Sequence, residues 1–148
     1  MALRNIVKEG DPVLRKTARS VLDFDEKLAQ LLDDMKETMY EADGCGLAAP
    51  QVGILRRICI VDVGDGLIEM VNPVIIEESG VQEESEGCLS LPGEYGITRR
   101  PMNVTVKAQD RNGNTFTVSG EALKARAFCH EIDHLNGILC IDKVIRKA

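Results

Sequence analysis

The sequence predicts an α+β fold, with mostly antiparallel strands packed around a central helix and a second, amphipathic helix near the N-terminus. Three observations carry that expectation. Leu28, Leu31, Leu32, Met35 and Met39 recur at three- and four-residue intervals, the spacing of one helix face. Short apolar runs are punctuated by turn signals, and the Asn-Gly pair in Asp110-Arg111-Asn112-Gly113-Asn114 marks a hairpin, hence antiparallel neighbours. A second stretch of helical period holds the chain's only two histidines, in His130-Glu131-Ile132-Asp133-His134. A length of 148 residues fits a single domain over 1–148. A chain of that size buries roughly 70% of its unfolded surface without metal or disulfide support.

Residues 1–24 read as irregular, with Gly10-Asp11-Pro12 as a turn in which Pro12 keeps Asp11 extended. The Leu/Met stripe predicts a helix from Asp25 to about Asp43, capped by Asp25 or Asp23 and stopped by Gly44, with the stripe packed in the core. Gly44-Cys45-Gly46-Leu47-Ala48-Ala49-Pro50-Gln51-Val52-Gly53 then leaves room for another backbone to approach, or is simply a tight connection. Ile58 to Val63 is an expected strand, and Leu67 to Ile76 a second one broken at Asn72-Pro73. Glu77, Glu78, Glu83, Glu84 and Glu86 form an acidic cluster, the pattern of a solvated face.

Glu86-Gly87-Cys88-Leu89-Ser90-Leu91-Pro92-Gly93 places a cysteine in a loop bounded by glycine and proline. Val104–Gln109 and Thr115–Val118 are the strands of the Asn-Gly hairpin. Ser119 caps the second helix, expected from about Gly120 to Leu135 or Asn136 and stopped by Gly137. On that helix Leu123, Ala127, His130 and His134 share one stripe, so the histidines belong to an inward side at the floor of a cleft.

Composition limits the function. Apolar residues make up 44% and charged residues 28%, the balance of an ordinary globular chain. A net charge of -6 and a pI near 5.0 argue against a nucleic-acid substrate held through a general basic surface. The five cysteines, at 45, 59, 88, 129 and 140, are odd in number and scattered, unlike a disulfide framework. A reducing cytoplasm is the expected compartment. The N-terminus lacks the sustained apolar core of a signal peptide and no run approaches membrane-spanning length, so no membrane partner is expected.

Two histidines at i and i+4 point at a shared position, which is metal-binding geometry, and the adjacent Glu131 suits a hydrolytic base. Catalytic sites of this kind keep three protein ligands and one open position. No histidine remains to supply the third, and no glutamate follows Glu131. Cysteine is the strong candidate type. Cys129 points about 100° around the helix from His130, Cys59 lies in a core strand, and Cys140 sits in the apolar Ile138-Leu139-Cys140-Ile141 run. Cys45 and Cys88 survive, with Cys88 favoured because its neighbouring loop N–H groups stay free to face a substrate.

The stretches from Gly44 to Gln51, from Glu86 to Ser90 and from His130 to His134, in that order over almost the whole chain, resemble the three signature motifs of the peptide deformylases. The resemblance implies that Cys88, His130 and His134 are the metal ligands and Glu131 the general acid/base, with Gln51 and the Leu89 N–H forming the oxyanion site. It implies removal of the formyl group from the formyl-methionine of nascent polypeptides. Cys45, Gly46, Gly87 and Leu89 then match the contacts to an extended substrate main chain, and Leu123 and Ala127 the methionine pocket. The resemblance suggests Fe(II) as the cellular metal, with Zn, Ni or Co as other occupants.

Arg126 departs from that pattern where an apolar residue is common, and Cys129 where glutamine is frequent. The chain also stops soon after Asp142, short of the C-terminal helix by which some members dock on ribosomes, so transient ribosome contact is left open. Arg100 could pair with the Glu86 carboxylate and Asp133 could accept a bond in support of the site, although surface or structural pairing is the expectation for each. Two rival readings remain: another small HExxH metallopeptidase, active on unformylated peptides, and a non-enzymatic metal or redox module, which has no use for Glu131 or Gln51.

Overall fold

The computed structural model describes residues 2–148. Helix α1 (Glu26–Glu41) starts where the Asp25 carboxylate accepts the Leu28 N–H at 3.1 Å. It ends where Asp43 takes φ 57° and the Gly44 N–H reaches back to the Met39 carbonyl. Eight strands follow: β1 (Gly46–Ala48), β2 (Ile58–Val61), β3 (Ile68–Ser79), β4 (Gln82–Cys88), β5 (Leu91–Arg100), β6 (Asn103–Gln109), β7 (Thr115–Glu121) and, after helix α2 (Leu123–Leu135), β8 (Val144–Lys147). All pair antiparallel, in one sheet of order β1-β2-β3-β6-β7 and another of order β4-β5-β8. The fold is therefore α+β.

The larger sheet is covered on both faces. Leu47, Ile58, Ile60 and Val71 pack with the Leu/Met stripe of α1. The alternate residues Ala48, Cys59, Val61 and Met70 pack with Phe128, Ile132 and Leu135 of α2. Side chains alternate across a strand, so a strand buried on both faces must be apolar at every position, which explains the unbroken Ile58-Cys59-Ile60-Val61 run. No helix among the described residues is long and apolar enough to cross a membrane.

Four local expectations need correction. Asn72-Pro73 does not break β3: a register shift between Val71 and Val74 accommodates the missing proline N–H, while Asn72, at φ 52°, bonds Val21 and Gln109 through its amide. Cys88 is not in a loop but ends β4, and β5 pairs with it across the turn at Leu89 and Ser90. Ser119 does not cap α2; it lies in β7, its hydroxyl paired with Thr105, and the helix begins after Ala122 at φ 55°. Finally, Glu86 leaves the solvated acidic face entirely and is only 6% exposed.

Candidate active site

Helix α2 delivers three of the chemical groups. His130 and His134 lie one turn apart, their Nε2 atoms 3.2 Å from each other. The Cys88 Sγ, at the end of β4, lies 3.4 Å from the His134 Nε2. Tetrahedral bonds of about 2.0–2.1 Å to nitrogen and about 2.3 Å to sulfur would set ligand atoms roughly 3.3–3.6 Å apart, so these three donors stand near three corners of such a site. Their ligand atoms all fall within 4.8 Å of one another. A borderline-soft divalent ion fits this donor set, since a thiolate and two imidazoles are its preferred partners.

Burial and charge set the protonation of these groups. Burial lowers His134 to about 3, helped by the neighbouring His130, so this ring stays neutral and able to ligate. His130 is pulled down by burial but carried up to about 9 by Glu131 and by its bond to Glu86. Glu131 is fully enclosed, and loss of water with repulsion from Glu86 pushes it up to about 7 against the pull of His130. Its Oε1, like the His134 Nδ1, finds no partner among the described residues. The other carboxylate oxygen presses on Gly46, where a Cβ would overlap Oε2. Gly46 is thus the residue that lets β1 pass over the glutamate.

Behind His130 lies a polar cluster of which the sequence suggested only the pairing of Arg100 with Glu86. Glu86 accepts from His130 Nδ1 at 2.7 Å, from Arg100 Nη2 at 2.7 Å, from Arg126 Nη1 at 2.7 Å and from Thr98 Oγ1 at 2.8 Å. Burial alone would raise its pKa; His130 and Arg100 instead hold it well below the usual carboxylate range. The bond to His130 Nδ1 leaves Nε2 free to face Cys88 and His134. Arg100 also meets Asp133 at 2.6 Å, so this pair is interior and not a surface bridge. Arg126 turns its guanidinium inward to Glu86, Thr98 and Gln82.

A cleft of about 560 Å³ opens over these groups. Gln51, in a 3₁₀ turn (Ala49–Val52), accepts the Ala48 N–H through Oε1 at 3.0 Å, which aims its Nε2 at Ser90 Oγ, 3.2 Å away, and Cys88 Sγ, 3.5 Å away. One wall carries Cys45 and Gly46 at β1; the facing wall carries Gly87, Cys88 and Leu89 at the end of β4. Ala127 and Leu123 line it from α2, with Leu123 54% exposed at the mouth. His130 and Glu131 reach this lining and His134 lies buried beneath it. Cys129 is buried and Cys59 sits in the core. Cys140, set aside as part of an apolar run, is instead buried behind the site, its sulfur within 4.8 Å of the Glu86 and His130 donor atoms.

The sequence profile of the polypeptide deformylase family matches residues 3–148. The peptide deformylase of Caldicellulosiruptor bescii is 58% identical over 99% of this chain and 88% of its own length. That of Alkaliphilus metalliredigens is 56% identical over 99% of this chain and all of its own. The crystal structure of peptide deformylase from Thermotoga maritima superposes with a TM-score of 0.94 at 45% identity, covering 96% of this chain and 97% of the other. With that agreement from end to end, and with its His-His-Cys donors and glutamate gathered in one cleft, the chain belongs to the peptide deformylase family.

Proposed function

We propose that the chain, working as one catalytic domain over residues 1–148, hydrolyses the formyl amide of N-formyl-methionyl nascent polypeptides and releases formate. The observation that carries this reading is the near-tetrahedral spacing of Cys88 Sγ, His130 Nε2 and His134 Nε2 with Glu131 directly beside them. These three residues would hold a divalent metal, Fe(II) in the cell with Zn, Ni or Co as alternatives, which polarises the formyl carbonyl and makes water acidic enough to ionise near neutral pH.

Glu131 takes a proton from the attacking water and passes it to the departing amine. A carboxylate raised to about 7 is matched to both halves of that task. Gln51 Nε2 and the Leu89 N–H receive the negative charge that develops on the formyl oxygen, each donor worth about 2.7–4 kcal/mol of barrier when aimed at that oxygen. The Oε1 bond to Ala48 keeps the Gln51 amide in place before substrate arrives.

β1 and β4 are edge strands of different sheets that border the same cleft. An extended substrate main chain can pair with Cys45, Gly46, Gly87 and Leu89 through backbone groups alone, leaving its side chains unread. Leu123 and Ala127 receive the methionine side chain. With its guanidinium tied to Glu86 and Thr98, Arg126 lends the cleft its aliphatic stem.

Anaerobic formate release from a formyl-methionyl peptide, with elemental analysis of the same sample, tests the reading. Turnover should require metal, and Glu131→Ala should lower kcat by about 10²–10⁴-fold with metal content unchanged. A fully metal-loaded protein that releases no formate overturns it.

A further inference from the structure

The two groups assigned to the oxyanion stand on different sheets. Gln51 lies in the 3₁₀ turn between β1 and β2, and Leu89 in the turn between β4 and β5, and among the described residues no strand of one sheet pairs with a strand of the other. The N-terminal segment bridges them. Val7 donates its N–H to the Gln51 carbonyl at 2.7 Å, and Glu9 donates its own to the Ser90 carbonyl at 2.8 Å. Lys8, between them, brings its Nζ to 3.5 Å from the Leu89 carbonyl oxygen. Both receiving residues are buried, Gln51 at 1% and Ser90 at 2% exposure. Upstream the segment is fastened to α1, where Asp34 accepts from Ala2 and Arg4 and Thr38 accepts from the Arg4 N–H. Downstream it ends in a turn closed by the Asp11 N–H on the Lys8 carbonyl. The side-chain links between the two walls, from Gln51 Nε2 to Ser90 Oγ and Cys88 Sγ, use the same nitrogen that the oxyanion needs. A primary amide has two N–H donors, so a proton given to the oxyanion is taken from those links.

We propose that Val7 and Glu9 are positioning residues for the hydrolysis: their main-chain N–H groups hold Gln51 and the Leu89–Ser90 turn at the separation at which the Gln51 amide and the Leu89 N–H meet on one oxygen. The inference rests on the reading of those two groups as the oxyanion donors. Two donors on separate sheets converge on one atom only while the gap between them is fixed, and a misplacement of about 1 Å can cost on the order of 10²-fold in rate. The bridging bonds of Val7 and Glu9 are main-chain bonds, so their side chains are not needed for it. The segment bonds Gln51, Leu89 and Ser90 and none of the proposed metal ligands, so the metal should bind with or without it.

Glu9→Pro removes one of the two bridging N–H groups and spares the turn. Gly10, at φ 102°, is the third residue of that turn, and Glu9 the second has no positive φ, which makes the turn type II and its second position one that favours proline. Formate release and metal content are measured for the wild type, Glu9→Pro, Glu9→Ala, Gln51→Ala and the Glu9→Pro/Gln51→Ala double variant. In Glu9→Pro, kcat should fall by about 10–100-fold with KM held within about twofold and metal content unchanged, the signature of a loss felt in the transition state alone. Glu9→Ala, which keeps the N–H, should turn over as the wild type does. In the Gln51→Ala background, Glu9→Pro should cost no more than about twofold further, because the donor it positions is already gone, whereas a general structural lesion would multiply through in full. The proposal is overturned if Glu9→Pro matches the wild type, if Glu9→Ala loses as much as Glu9→Pro, if the two losses multiply in full, or if metal content falls along with kcat. Wild-type protein that releases no formate sinks the hydrolysis itself, and an undiminished Gln51→Ala sinks the oxyanion assignment and the positioning role with it.

Discussion

The Glu86 carboxylate accepts from Arg100, Arg126, Thr98 and His130 at once, and is buried where a lone charge could not be tolerated. Removing it would leave two buried guanidiniums without their shared partner. Glu86→Ala should therefore cost about 3–5 kcal/mol, read as a lower urea midpoint. Gly46→Ala is a subtler lesion: its Cβ collides with Glu131 Oε2, and a base displaced by about 1 Å can lose on the order of 10²-fold in rate. Formate release should fall accordingly while metal content holds. His130, His134 and Glu131 were legible in the sequence because helix geometry is local and their spacing states it. Cys88 could be approached by elimination, since few ligand types remained. The pairing of Arg100 with Glu86 could be suggested, but the inward turn of Arg126 and the burial of the whole cluster were not legible, because these residues meet across β4, β5 and α2, and no local pattern encodes that register.

Residues 2–24 carry little regular structure but tie several elements together. The Ala2 N–H and Arg4 Nε donate to Asp34, and the Arg4 N–H to Thr38, both on α1. Val7 and Glu9 donate to the carbonyls of Gln51 and Ser90 beside the cleft, and Ala18 to that of Leu135 at the end of α2. Burial works against an ionised Asp34, but its bonds from Ala2, Gln30 and Arg4 outweigh that and lower its pKa. Its folded value thus lies below its unfolded one, near 3.9. The tether is at full strength above the unfolded value and is lost as the pH falls through the lower, folded one. Hydrogen exchange at residues 2–9 should rise on acidification below about pH 3.9, and Asp34→Asn should show that rise already at neutral pH. Among the elements, both helices were readable from periodicity and α1 also from its Asp25 cap, whereas Ser119 misplaced the start of α2. β5 was not, since Pro92, Gly93 and Gly96 mask it, and β3 looked broken because a bulge can absorb a proline that a regular ladder cannot.

The proposed ligands come from two separate bodies of the fold, Cys88 from the three-stranded sheet and the histidines from the helix packed under the larger one. A metal there would hold sheet to helix as well as serve chemistry. Binding to the native state alone at a hundredfold excess over Kd adds about 2.7 kcal/mol. For a chain of this size that is a rise in Tm of roughly 5–10 °C, absent with chelator, and calorimetry on the two forms would measure it. That the sheets exist could be inferred from runs and turns, but the sharing of one cleft by the edges of two sheets belongs to the tertiary fold. The separation of the donors makes metal capture a test of assembly. A copy still emerging from synthesis holds the cysteine and the histidines on stretches that have not yet met, and gains the ion only once strand and helix have docked. Catalytic competence then depends on that docking, and a copy in which strand and helix have not met stays inert.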